Sequence, residues 1–412
     1  MNVLFIHQNF PAQFRHLADA LSQQPGARVF AIGSETARDL GSVTVLRYSV
    51  TAAAPQTHGF ARFFDAECRR AEQILYVCMQ LKAQAFEPDV IIVHSGWGEA
   101  LPLRSAFPRA FILLYVEMFY RRHGADVDFD PEFPPMSLDG LVGLSARNAS
   151  TVLGLTDCDA AITPTAWQRS TFPANLQPGI DVIHEGIDIE LAKPNPQASV
   201  KLPNGAVVTA GDPVVTFVAR DLEPLRGYHT FMRALPEILA RHRGAQVLIV
   251  GREGTSYGAA PPPGRSWKSI FLDEVSRLID TSRVHFLGRL PYADYLNVLQ
   301  VSAAHIYLTY PFVLSWSMLE ALASGCVVVG SSTPPVREVI TGDNGVLVDF
   351  FDPSGVAAAV LSVLGNPGRY EPMRLNARQT IVDHYDRRAC VDNVLKLLRL
   401  RGSTAPTRWS TS

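Results

Sequence analysis

No stretch of this 412-residue chain reaches the roughly 18 consecutive apolar residues that a membrane-spanning helix needs, although 47% of its residues are hydrophobic. Its start, MNVLFIHQNF, runs through only four consecutive apolar residues before a polar loop and has no charged segment ahead of them, so no signal peptide is expected. Cysteine is sparse. Cys68, Cys78, Cys158, Cys326 and Cys390 are scattered without a CxxC pair, which argues against zinc and a disulfide framework and fits a reducing compartment. Charge is sparse too: Asp, Glu, Lys and Arg make up 18%, against about a quarter in an average domain, so most of the chain should be packed. The formal net charge of -2 implies no general affinity for nucleic acid. There is no GxxxxGK-Ser/Thr, and no GxGxxG follows the first strand, which argues against a P-loop enzyme and an NAD dehydrogenase. A cytoplasmic protein is expected, touching at most the inner face of a membrane.

What is present is an alternation of strand and helix patterns, played twice. VLFI (3–6), ARVFAIGS, DVIIVHSGWGE and AFILLYVEMF read as strands running into polar loops, and Asn9 and Pro11 suit the start of a helix carrying Phe14, Leu17, Ala18 and Leu21 at helical spacing. A Pro-, Asn- and Gly-rich stretch over 191–212 reads as a linker. The rhythm restarts with PVVTFVARD, AQVLIVGRE, RVHFLGRL, AHIYLTY and CVVVGSS, interrupted by a loop insertion, GTSYGAAPPPGRSW. Alternating strands and helices predict parallel sheets covered on both faces. The expected architecture is α/β with two doubly wound, Rossmann-like domains, 1–190 and 213–385, facing a central cleft where ligands bind beyond the strand ends. A helix over 386–402, basic through Arg387, Arg388, Lys396, Arg399 and Arg401, either shows a solvated face, packs back on the first domain or touches a membrane surface; a disordered tail is expected over 403–412.

Several residues carry chemistry. Arg220 ends a strand and Arg226 lies in the following loop; two guanidiniums there either clamp a diphosphate with forked hydrogen bonds or pair with Asp221 and Glu223. Glu320 stands alone among apolar residues in PFVLSWSMLEALASGCVVVG. Ser317-x-x-Glu320 matches a capping box, with Gly325 closing the helix, yet a carboxylate at that place also suits the hydroxyls of a ribose. His94 and Glu99 sit at a strand end in VHSGWGE, as structural hydrogen-bonders or as ligand contacts. The segment YVEMFYRRHGADVDFDPEFPP crowds Glu117, Asp126, Asp128, Asp130 and Glu132 among aromatic rings; it is either a rigid surface loop or a platform for a sugar ring.

The second half resembles the donor-binding domain of family 4 glycosyltransferases, the retaining GT-B group. The carrying stretches are FVARDLEPLRGYHTFMRAL, VLIVGREG, VHFLGRLPYADYLNVLQVSA and SMLEALASGCVVVGSSTPPVREVITGDNGVLVDFFDP, with VIHEGIDIELAKPNP leading out of the first half. FIHQNFPAQFRHLA, VHSGWGEALPLR, EMFYRRHGADVDFDPEFP and RNASTVLGLTDCDAAITPTAWQRSTFP resemble a narrower group within that family. The resemblance implies that Arg220 and Arg226 hold the donor diphosphate and that Glu320 binds ribose as the second glutamate of the E-x7-E motif. It puts Gly251, Arg289, Leu290 and the Ser315, Trp316 and Ser317 backbone at the donor, and Gln13, Glu99, Tyr120 and Asp128 at the acceptor. Glu117 falls near where relatives place a histidine and joins His94 as a catalytic candidate. One departure stands out: the first glutamate of the motif is replaced by Phe312, which puts the donor sugar's identity in question.

The implied activity is metal-independent, retaining transfer of a sugar from a nucleoside diphosphate, UDP or GDP, to a hydroxyl of a glycan, lipid-linked or small-molecule acceptor in polysaccharide biosynthesis, without a cofactor. A non-catalytic binder of sugar nucleotides or glycans and a sugar-nucleotide epimerase on the same architecture are the alternatives.

Overall fold

A computed structural model of the chain describes residues 1–50 and 57–402. The tail over 403–412 lies outside the described residues. Two compact units emerge: Met1–Gly186 together with the chain from Arg387 onward, and Ile187–Asp386.

The first unit is built on seven parallel strands, β1 (Asn2–Ile6), β2 (Arg28–Ser34), β3 (Thr44–Tyr48), β4 (Val90–His94), β5 (Phe111–Tyr115), β6 (Ala160–Thr163) and β7 (Ile180–Val182). Their order is β3-β2-β1-β4-β5-β6-β7. Successive residues of one strand point to opposite faces. Leu4, Ile6, Ile91, Val93, Ile112 and Leu114 therefore enter one core, with Ile74, Cys78 and Leu81 of the helix Arg62–Ala83. Val3, Phe5, Ile92, Leu113 and Tyr115 enter the other, against Leu17 and Leu21 of the helix Arg15–Ser22 and Val394 of the helix Arg387–Gly402. Both faces are thus buried, which is why these strands read as unbroken apolar runs. The first helix begins later than its sequence suggests. Asn9 does not cap it; its Oδ1 accepts a hydrogen bond from Thr36 (2.6 Å), and a 3-10 turn at Ala12–Phe14 precedes the helix.

The second unit has six parallel strands, preceded by a hairpin. The segment over 191–212, expected as a linker, pairs β8 (Ser199–Lys201) with antiparallel β9 (Val207–Thr209). Its Ala198, Leu202 and Val208 are buried against Val214, Leu248 and Val298, so the hairpin belongs to the core of this unit. The sheet comprises β10 (Val214–Asp221), β11 (Gln246–Arg252), β12 (Val284–Gly288), β13 (Ala304–Tyr307), β14 (Val327–Ser331) and β15 (Val346–Val348), in the order β12-β11-β10-β13-β14-β15. Strand order reverses between β1 and β4 in one sheet and between β10 and β13 in the other. At such switch points neighbouring loops diverge and leave a crevice at the carboxyl ends of the strands.

Candidate functional site

In the second unit the loop after β10 carries the cations. Glu223 leads into a 3-10 turn, Pro224–Arg226, and Gly227 turns the chain into the helix Tyr228–Arg241 with φ of 67°. Any side chain at 227 would put its Cβ 2.3 Å from Leu308 Cβ, so glycine is required for packing as well as for the turn. Arg226 is buried. Its Nη1 donates to Tyr307 Oη (3.2 Å), Thr309 Oγ1 (3.0 Å) and the Val313 carbonyl (3.0 Å), which fixes the fork, while Nε and Nη2 have no acceptor among the described residues. Arg220 is exposed at the end of β10 and lines a cavity of about 330 Å³ with Gly251, Arg252, Arg289, Leu290 and Tyr295. Asp221 holds Arg252 through two bonds of 3.0 Å each. Arg220 and Arg289 have no carboxylate partner among the described residues. The cavity therefore offers two guanidiniums at strand ends that are in no salt bridge among the described residues, with Asp221 near enough to Arg220 to feel its charge, chemistry that suits an anion.

Glu320 lies in the helix Trp316–Ala323, whose N-cap is Ser315 rather than Ser317. The capping box is accordingly absent. The carboxylate instead accepts hydrogen bonds from Tyr292 (2.7 Å) and Tyr295 (2.6 Å), one on each oxygen. Burial raises its pKa above the usual carboxylate range while the two phenols pull it back. Gly325, with φ of 75°, does follow the helix end. Of the three amides expected to face the donor, two are already used: Ser315 N–H donates to Tyr307 Oη (2.7 Å) and Ser317 N–H to Ser315 Oγ (3.3 Å). Phe312 is only 7% exposed, its ring 5.1 Å from that of Tyr257, and both rings lie 5.5 Å from Arg226 Cζ. Tyr292, Tyr295 and Tyr257 escaped the sequence reading, and Glu223, weighed there as an ion-pair partner of the arginines, accepts instead from backbone N–H groups of residues 256–258. The i, i+3 spacing of the two tyrosines on one helix was the available signal for that pair.

In the first unit a polar chain runs from the end of β1 to the end of β5. His7 Nδ1 accepts from Asn9 N–H (2.9 Å), so its proton sits on Nε2, which donates to Gln13 Oε1 (2.8 Å). The Gln13 amide is thereby oriented to donate through Nε2 to Glu117 Oε1 (3.0 Å). His94 repeats the pattern: its Nδ1 accepts from Gly96 N–H (2.9 Å), leaving an Nε2–H that is buried and has no hydrogen-bond partner among the described residues. That nitrogen lies 3.8 Å from Glu117 Oε2. The distance is too long for a hydrogen bond. Nor is it an ion pair, because burial keeps both imidazoles neutral, lowering the His7 pKa to about 4 and that of His94 well below its ordinary value. The Glu117 side chain is 34% exposed, and its backbone carbonyl accepts from Gln168 Nε2 (2.6 Å).

The other expected acceptor contacts are placed elsewhere. Glu99 is fully buried, accepting from Tyr48 Oη (2.5 Å) and Gln8 N–H (3.0 Å), and so fastens the loop after β1. Burial pushes its carboxyl up to about 7. Tyr120 lies under the Arg147 guanidinium, 4.0 Å from its ring centre, and its backbone is clamped by the Asn148 amide. Asp128 accepts from Met136 N–H (2.7 Å) and shapes its own loop. Sequence reasoning missed His7 and Gln168, which bear on the cluster through hydrogen bonds and, for His7, a ring contact with His94 (5.1 Å) that sequence does not show.

Comparison with known proteins adds identity to this geometry. A domain described as "Glycosyl transferase family 4 group" matches residues 25–192, and one described as "Glycosyl transferases group 1" matches residues 212–366. Glycogen synthase from Mycobacterium tuberculosis is 28% identical over 241 residues, covering 56% of this chain and 51% of that protein. The chain thus spans about half the length of such a relative. Among solved structures, sucrose-phosphate synthase from Thermosynechococcus elongatus matches with a TM-score of 0.73 at 17% identity, covering 98% of this chain and 100% of that one. Anabaena HepE in complex with UDP and glucose matches with a TM-score of 0.65 at 15% identity, covering 97% and 100%.

Proposed function

We propose that this chain, in which a family 4 and a group 1 glycosyltransferase domain together make the GT-B fold, transfers a sugar from a nucleoside diphosphate to an acceptor hydroxyl with retention of anomeric configuration and without a metal. The observation that carries the reading is the set of guanidinium groups outside any salt bridge at the carboxyl ends of the second sheet: Arg220 and Arg289 in the cavity, and the spare Nε and Nη2 of Arg226. In such a transfer the bond between the anomeric carbon and the diphosphate oxygen breaks, the acceptor oxygen bonds to that carbon, and the acceptor hydroxyl gives its proton to the departing diphosphate oxygen. Negative charge grows on the departing diphosphate. Arg226, its fork held by three hydrogen bonds, stabilises that charge without reorganising during the reaction, and Arg220 and Arg289 add attraction from the cavity. Glu320, held by two phenols, takes the ribose hydroxyls. Glu117 and His94 serve the acceptor, the carboxylate accepting from a hydroxyl and the Nε2–H donating to an oxygen. A glycan or lipid-linked precursor handled at the cytoplasmic face of a membrane is the acceptor class this reading favours, with UDP or GDP as the carrier.

Calorimetric titration of the full chain with UDP, GDP, UDP-glucose and GDP-mannose tests the core of it. One diphosphate should bind, and more weakly by about tenfold in Arg220→Ala, the worth of one charge-assisted hydrogen bond. Binding of none of them would remove the reading. Interconversion of the sugar nucleotide without an acceptor would instead indicate an epimerase, and loss of activity with EDTA would remove metal independence.

A further inference from the structure

The loop over 253–266, between β11 and the helix Trp267–Val275, looks in sequence like a slack insertion rich in glycine and proline. In the structure it is tied down at several points. The buried Glu223 carboxylate accepts on one oxygen from three successive backbone N–H groups, those of Ser256 (3.3 Å), Tyr257 (3.3 Å) and Gly258 (3.0 Å). Asp221, also buried, accepts from the Ser256 hydroxyl, and Trp267 Nε1 donates to the Ala259 carbonyl (2.9 Å). Burying a carboxylate is expensive unless its bonds are worth it. Two such carboxylates spent on one loop mean that the loop's shape matters.

What the loop presents is Tyr257. The residue is 44% exposed, and its hydroxyl has no hydrogen-bond partner among the described residues. Phe312 stands behind it, and the Arg226 guanidinium lies 5.5 Å from the ring centre. Glu223 also opens the turn that carries Arg226, so one residue places both groups. A phosphate on the spare nitrogens of Arg226 would sit about 3 Å from them. Whatever that phosphate carries then lies within one sugar's width of the ring.

We propose that Tyr257 is a specificity-determining contact to the sugar of the nucleotide donor, its ring lying against a C–H face and its phenol bonding one sugar hydroxyl. Phe312 is the buried platform that fixes the ring, and Glu223 is a positioning residue. The inference rests on the reading of Arg226 as a diphosphate ligand.

The test uses the full chain and the ratio of two dissociation constants, that of a sugar nucleotide and that of its own nucleoside diphosphate, with UDP/UDP-glucose and GDP/GDP-mannose as probes. Tyr257→Ala should weaken the sugar nucleotide by about tenfold, while the diphosphate stays within about twofold. Tyr257→Phe, which keeps the ring, should lose about threefold. Glu223→Gln should behave like Tyr257→Ala in that ratio and also speed proteolysis within 253–266, which a merely structural change elsewhere would not do. The ratio also protects the test against partial misfolding, since an inert fraction lowers the stoichiometry of both titrations and leaves the ratio of affinities as it was. If the diphosphate binds and depends on Arg226, yet Tyr257→Ala keeps the wild-type ratio, this inference fails and the glycosyltransferase reading stands. If no diphosphate binds, both fall together.

Discussion

The two units share one architecture and equip its switch point in opposite ways. In the second, charge is exposed or only half satisfied: Arg220 and Arg289 line open space, and Arg226 keeps two nitrogens spare. In the first, the polar groups are mostly neutral and already engaged with one another, His7 with Gln13 and Gln13 with Glu117. A site for a diphosphate can rely on attraction between opposite charges, which acts over several ångströms and tolerates loose geometry. A site for a hydroxyl has no such field to exploit. It must fix the direction of each donor and acceptor beforehand, which the two histidine tautomers do. The first site should therefore be sensitive to hydrogen-bond direction and the second to charge.

The sharpest way to break this contrast is Arg226→Ala. We expect donor affinity to fall between about tenfold and a hundredfold, with a lower melting temperature, because Tyr307, Thr309 and the Val313 carbonyl lose their donor. Arg220→Ala should cost about tenfold in affinity with the melting temperature unchanged, since that side chain is exposed; calorimetry and a thermal scan separate the two. In the first unit, Gln13→Glu keeps the size and adds charge. It should lower kcat by about tenfold, because two carboxylates cannot share the hydrogen bond seen at 3.0 Å, and leave the diphosphate dissociation constant alone. An equal effect on diphosphate binding would erase the distinction. Glu320→Gln should weaken sugar nucleotide and diphosphate alike by about fivefold; a fall in stability without a change in binding would return Glu320 to a structural role.

A last expectation concerns stability against pH and leaves the contrast between the sites untouched. Burial raises the Glu99 carboxyl to about 7 in the folded chain, above the ordinary 4.5, so the folded state binds a proton that the unfolded state has released. The stability this contributes is complete below about 4.5 and is lost as pH rises through 7, amounting to at most about 3 kcal/mol. The urea midpoint should fall from pH 5 to pH 8, and Glu99→Gln should flatten part of that slope. Glu67, also raised to about 7, keeps the remainder.

The parallel sheets were legible because a strand buried on both faces must be apolar throughout, as VLFI and VIIV are. The hairpin at β8 and β9 was not, because its Pro, Asn and Gly residues dominate the local pattern while the few apolar ones, Ala198, Leu202 and Val208, reveal their role only against Val214 and Leu248. Arg220 and Arg226 could be picked from their position after a strand. Glu320 could be picked too, but its partners could not. A capping box and a pair of tyrosine hydroxyls satisfy a carboxylate equally well on paper, and only the fold brings Tyr292 and Tyr295 to it.

The division of the chain bears on how it is made. Ile187–Asp386 is contiguous, and its ends meet: Ile187 N–H donates to the Tyr385 carbonyl at 2.7 Å. The first unit is interrupted by that whole segment and takes its last helix from Arg387–Gly402. On the ribosome the N-terminal sheet therefore emerges first and is finished last. Until residue 394 has left the exit tunnel, the apolar surface of Phe14, Leu17 and Leu21 lacks the helix that joins it in the core, so the first unit must wait for a segment that lies beyond the whole inserted unit.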